Sequence, residues 1–356
     1  MNNPKIKAAA IALIMALMTT AVDLMAAGEG NPVALSMGGA YTALARDLDA
    51  PSWNPANLGL SDGGSYSIGI FNVGVSLRNN SFSLYDYNRY NGAALSESDK
   101  DDILNSIPAS GLELDLLAEA SALNFSVGNW ALTYKATGAS NVAMDKDPIR
   151  LFFYGNAVVR NVSINNTRGE AYGMADFALS YGRAIQRWEG GEFTAGASVH
   201  YLKGLAYQRI VEATGGVSTT DTGFVGSGVL RFNSALGGSG YSIDLGTAVR
   251  FEDDWYFSAT WQNFASKMNW SNETEENLYT FQMDPITADM ISNSGDEDSL
   301  VTTTDSTYAI GGFSSKFPGI FRMGIARKYS NLMWAFDLEQ SFSQAPQAFF
   351  ILLNIL

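Results

Sequence analysis

"YSIDLGTAVRFEDDWYFSATWQNF", residues 241–264, is the stretch whose reading decides the fold. Tyr241, Ile243, Leu245, Thr247, Val249 and Phe251 take every second place, with Asp244 and Arg250 between them. A period of two puts these sets on opposite faces of a β-strand. Glu252–Asp254 supply a turn, and Trp255, Phe257, Ala259 and Trp261 open the next strand.

The pattern recurs along the chain. "AYGMADFALSYGRAI" places Ala171, Gly173, Ala175, Phe177, Leu179 and Tyr181 on one face. "EFTAGASVHYLKG" sets Phe193, Ala195, Ala197, Val199 and Tyr201 against Thr194, Gly196, Ser198 and His200. "FRMGIARKYSNLMWAFDLEQ" repeats the scheme on either side of a turn at Ser330–Asn331. In "GSYSIGIFNVGVSLRN" the alternation slips near Phe71–Asn72, which predicts a bulge near Asn72. "LSESDKDDILNSIP" instead predicts a helical insert, capped by Ser96 or Ser98 and stopped at Pro108. A second polar insert, with a short helical middle, is expected over Met283–Ser299.

Runs of about 9–12 residues suit tilted membrane-spanning strands. Their second faces, rich in Gly, Ser, Thr and Asn, suit an aqueous or plugged lumen. Trp130, Trp255, Trp261 and Trp334 fall at or near strand ends, as an aromatic girdle requires. A soluble β-sandwich or lipocalin-like barrel would also alternate, but some faces lack a core partner and the strands are many. The expectation is an all-β protein: a transmembrane antiparallel β-barrel of about 14 strands, even numbers being the rule in bacteria.

The front of the chain fits export. Lys5 and Lys7 precede an apolar run from Ala8 to Met18, and small residues gather at Ala21 and Ala26–Ala27. This predicts a signal peptide over residues 1–27, cleaved after Ala26 or Ala27. With no cysteine, the chain has no disulfide framework and no thiolate site. A net charge of -14 argues against nucleic acid, whose phosphates need clustered Lys and Arg.

Between leader and first strand runs "MGGAYTALARDLDAPSWNPANLGL", residues 37–60. Its small residues let a backbone pack closely, Pro55 forces Asn54 to be extended, and the Asn54 side chain can cap local backbone groups. A signal, this stretch and then an alternating barrel together resemble the FadL superfamily of outer-membrane proteins. That superfamily includes PorV-type barrels and an uncharacterised, mostly Bacteroidetes-type group. The residues that carry the likeness are Gly38, Gly39, Ala40, Asp47, Trp53, Asn54, Pro55, Ala56, Leu58 and Gly59. The segment running from the helical insert into a hairpin at Gly128–Asn129, and that around "EAYGMADFALSYGRAI", look most like the uncharacterised group.

The resemblance implies a hatch over residues 28–62 inside the lumen of a barrel over 63–356. It also implies an outer-membrane address in a Gram-negative bacterium, with lipid and the barrel assembly machinery as partners. The closing run, "QAFFILLNIL", departs from the aromatic-ended final strand of such barrels and reads as a truncated or frame-shifted end. An open barrel edge would then be an aggregation hazard.

The search for chemistry is short. With His200 the only histidine, neither a histidine pair for zinc nor an independent triad is available. "GDEDS", "FEDDW" and Asp145 with Asp147 lack EF-hand spacing. No enzyme, cofactor or metal is expected. Asp176, His200, Asp244 and Arg250 should point into the lumen, to hydrate it or to pair with the hatch. Two functions lead: passage of hydrophobic or amphipathic small molecules, and a PorV-like role in handling or anchoring secreted proteins. A structural barrel without transport comes third. Transport is the first expectation, with Trp53 and Leu58 as candidates to line an apolar pocket.

Overall fold

The computed structural model describes residues 31–252, 254–287, 290, 300–329, 332–342 and 349–355. The expected leader lies outside these residues. Among these residues, fourteen strands form one antiparallel sheet, curled into a half-barrel. Its main path runs through β1 (Tyr66–Asn79), β2 (Leu112–Val127), β3 (Trp130–Met144), β5 (Arg168–Trp188), β6 (Gly191–Thr219), β7 (Phe224–Phe251) and β8 (Trp255–Trp270). It continues through β12 (Gly319–Tyr329), β13 (Leu332–Phe342) and β14 (Phe349–Ile355).

The other four strands extend lines already present. β9 (Glu275–Ile286) pairs with β7 below Ser234, where β8 leaves off at Gly238, so β8 and β9 are one line broken at residues 271–274. β10 (Thr302–Ala309) pairs with β9, and β11 (Phe313–Ser315) pairs with β8 ahead of β12. β4 (Asn161–Ser163) lies along β6 ahead of β5. The fourteen strands thus follow ten lines.

The strands are longer than their apolar runs suggest: β5, β6 and β7 have 21, 29 and 28 residues. Only part of each carries the alternation. On β6 the outward Val199 and Tyr201 are exposed, while Thr194 and Ser198 are fully buried. Phe177 and Leu179 on β5, Tyr241 and Leu245 on β7, and Phe257 and Trp261 on β8 are exposed in the same manner. The sheet therefore shows apolar side chains outward and buries polar ones, the reverse of a soluble core.

One end of the sheet has short turns, at Gly128–Asn129 and Glu189–Gly190, and a short connection from β7 to β8. The other carries three helices: α3 (Leu84–Tyr90), α4 (Glu97–Ser106) and α5 (Lys146–Tyr154), after the short α1 (Pro32–Ser36) and α2 (Ala50–Trp53) of the N-terminal segment. Reciprocal capping boxes, Ser83 with Asp86 and Ser96 with Asp99, start α3 and α4. None of the described helices is long and apolar enough to cross a membrane.

Several local expectations change. The slip in β1 is real, but pairing with β2 stays in register, with Gly69 opposite Asn124 and Phe71 opposite Ala122. The irregularity falls on Leu123, at φ 55, and on the β2–β3 register, so the bulge lies in β2 across from Ile70 rather than at Asn72. Of the expected insert at 283–299, the start is still strand through Ile286, and most of the rest lies outside the described residues. Trp261 stands well inside β8 instead of near its end.

Candidate functional site

Residues 31–62 lie against the inner face and touch lines from β1 to β13. Asn31 caps α1 through Val33 N and Ala34 N, and Gly38 and Gly39, at φ 58 and 85, turn the chain after it. Asp337 of β13 then accepts hydrogen bonds from Tyr41 N (3.0 Å) and Thr42 N (2.8 Å). Asp47, also at positive φ, accepts from Gly64 N at 2.7 Å.

The Trp-Asn-Pro-Ala turn occupies the middle. Asn54 is extended, as Pro55 requires, and its Oδ1 accepts from Ala56 N. Its Nδ2 donates to Thr247 O at 2.9 Å and Ser258 Oγ at 3.1 Å, so the segment also draws on the sheet, using lone pairs that the ladder leaves spare. Asn57 spans Thr42 O, Ala45 O and Ser258 Oγ. Thr194 Oγ1 donates to Ala56 O at 2.8 Å.

The floor beneath this turn is glycine. A Cβ at Gly196 would lie 2.5 Å from Ala56 N, and one at Gly182 or Gly246 would collide with Pro55 O or Asn54 Oδ1. Close approach of two backbones is the reason for glycine inside these strands.

At the short-turn end, Glu192, 1% exposed, accepts from Ser61 N (2.8 Å) and Ser61 Oγ (2.7 Å) and pairs with Arg250 (3.2 Å). Arg46 pairs with Asp62 at 2.9 Å, and Tyr256 donates to the same carboxylate. Burial works to raise the Asp62 carboxyl, but the Arg46 guanidinium and the Tyr256 hydroxyl outweigh it and hold it below the usual carboxylate range.

Beyond the segment, the inner face changes character in layers. His200 bridges β5 and β7: its Nδ1 lies 3.0 Å from Asp176 and its Nε2 3.1 Å from Asp244. Only an imidazole carrying both ring protons can donate to both carboxylates. The two carboxylates approach opposite ring nitrogens, so they cannot converge on a single ion. Asp244 also accepts from Asn263 N. Next comes an apolar layer of Leu202, Tyr207, Met268 and Trp270, joined by Tyr172, Phe313 and Phe317. These aromatic rings meet at centroid distances near 5 Å, for example 4.9 Å for Tyr207 and Trp270.

The anticipated site residues divide accordingly. Gly38, Gly39, Asp47, Trp53, Asn54, Pro55, Ala56 and Leu58 all belong to the seated segment. Trp53, 2% exposed, packs edge-on against Tyr41 and lies under the Arg322 guanidinium, which also pairs with Glu339. Leu58 is buried with Ala50 and Ala131. Both are engaged in packing. A hollow of about 280 Å³ lies elsewhere, among Phe257, Met323, Ile325, Phe336 and Leu338. His200 meets both Asp176 and Asp244, whereas Arg250 reaches Ser61 of the segment and Glu192 of β6. Sequence reasoning missed Asp337 and Glu192, whose inward phase in the alternation was the available signal.

Fold and site together define an antiparallel, curled all-β protein compatible with an outer-membrane barrel. Residues 55–228, just under half of the chain, match the model of a family of unknown function, DUF5723. No curated protein and no solved structure matches the chain.

Proposed function

We propose that this chain is an outer-membrane β-barrel whose lumen is closed at the short-turn end by residues 31–62 acting as a hatch. The observation that carries this reading is the inverted sheet, apolar outward and polar inward, over a limited height. From Phe193 to Tyr201 on β6 the outward face is apolar for eight steps, and the next outward residue is Lys203. At about 3.3 Å per residue and a tilt of about 40°, that spans about 20 Å, close to the apolar band of about 25 Å of an outer-membrane barrel. Trp130 against Tyr181 and Trp255 against Trp334 form aromatic pairs at its short-turn border.

The role we favour is handling or anchoring of a secreted protein. The hatch is held by backbone-to-glycine contacts and by carboxylates at both of its ends, and the layer above it is filled by Trp270, Met268 and Tyr207. Meanwhile β6 continues for 16 residues past Lys203, so the sheet rises well clear of the band. Short turns mark the periplasmic end of bacterial barrels and long connections the outer one, so this extension faces outward. Passage of an amphipathic small molecule is the second reading, favoured by the carboxylate–imidazole layer lying directly beneath an aromatic one.

Native mass spectrometry of the protein extracted from its own membranes in mild detergent separates the two. A retained protein chain is the expected result. A retained mass of a few hundred daltons, removed by organic extraction, would replace anchoring with transport.

A further inference from the structure

The hairpin of β9 and β10 lies in the part of the sheet that rises past the apolar band. β10 pairs with β9 without a register break, from Thr302 opposite Gln282 to Ala309 opposite Glu275. Among the described residues, no strand lies on its other edge. All of its residues but Ser306 are exposed. An unpaired edge presents a row of N–H and C=O groups, and proteins ordinarily blunt such edges with Lys, Pro or a bulge. "TTTDSTYA" has neither Lys nor Pro, and its regular register has no bulge.

Charge supplies the second observation. From Met268 to Ser315 the sequence contains no Lys, Arg or His. Its described residues include Glu273, Glu275, Glu276, Asp284 and Asp305. Across the hairpin from β10, Arg231 of β7 meets Glu276 at 3.9 Å and Glu212 at 3.3 Å.

We propose that β10 is a docking edge that takes a basic, extended segment of a partner protein as an added strand. Main-chain hydrogen bonds would supply affinity, and the acidic surroundings would select the partner's charge. A second copy of this chain is disfavoured as occupant, because it would bring the same acidic edge against itself. The inference rests on the protein-handling reading and names the chemistry of its partner.

The test uses the full-length protein in detergent micelles and the synthetic peptide KTVTKTVTKT, beside an analogue with proline at its central positions. Binding by fluorescence anisotropy should be about tenfold weaker for the proline analogue, which cannot complete the ladder. Hydrogen exchange at residues 302–309 should slow by about tenfold when the first peptide is bound. Asp305→Lys should weaken that peptide by about tenfold, and an acidic counterpart with Glu for Lys should regain the loss. Equal binding of the two peptides, binding without protection of 302–309, no binding, or self-association through this edge would each overturn the proposal. A retained partner chain in native mass spectrometry together with a silent β10 would refute the edge and leave anchoring intact.

Discussion

Val199 and Val211 lie twelve residues apart on the same strand, and their exposures are close, 57% and 47%. Their surroundings differ in kind. Val199 is flanked outward by Ala197 and Tyr201 and paired across to Leu179 and Ile243. Val211 stands between Ile210 and Glu212, at a register break, with Arg209 close by. On the proposed reading the first faces lipid and the second water, two kinds of exposure that look alike as accessible area. They part only when the neighbours' chemistry is read.

The largest expected effect breaks that equivalence directly. Val199→Arg should destabilise the protein in lipid vesicles by about 2–4 kcal/mol, the cost of Arg on a lipid-facing strand at depth. Val211→Arg should stay within about 0.5 kcal/mol, as exposed substitutions do in water. Denaturant titrations of the vesicle-inserted protein measure both, and equal costs would remove the distinction.

The inner face has its own contrast, between a lower half covered by residues 31–62 and an upper one packed by the strands' own side chains. Gly196→Val would push a side chain into Ala56 and should cost about 3 kcal/mol. It should also make residues 31–62 accessible to protease while the strands stay protected. Asn54→Ala leaves Ala56 N without its acceptor and takes one of two hydrogen bonds from Ser258 Oγ, and should cost about 2 kcal/mol, read from the denaturation midpoint.

The smallest effect concerns acid. Because folding depresses the Asp62 carboxyl, its contribution is fully present above the ordinary carboxylate range and is lost as pH falls through the lower, folded value. At a partly exposed pair this is under about 1 kcal/mol. Asp62→Asn should therefore lie below the parent at pH 7, with the two curves meeting once the pH has fallen below the depressed, folded value. A constant gap down to that pH would assign the contribution to packing.

Much of the sheet was legible in the sequence because alternation is local. The faces of residues 241–261 follow from a period of two, as does the capped helix at Glu97–Ser106 from its own first turn. What was not legible depends on partners far along the chain. Asn54 finds Thr247 and Ser258 only once β7 and β8 are in register, and His200 meets Asp176 and Asp244 only across three adjacent strands. The glycines at 182, 196 and 246 could be seen as weak points in strands, but not as a floor for a particular turn. α5 carries Pro148 of "KDPIRLFFY" in its first turn, where no N–H is needed. The long upper strands escaped notice because their alternation fades once neither face has a single solvent.

The central claim is that one strand crosses from lipid to water, and the absence of cysteine makes a direct test simple. Single cysteines placed along β6 at 195, 197, 199, 201, 207, 211 and 214 would be spin-labelled in lipid vesicles and probed with oxygen and a water-soluble paramagnet. The account predicts oxygen access without water access at 195–201, little access of either kind at 207, and water access at 211 and 214. Water access at 197–201 would contradict it.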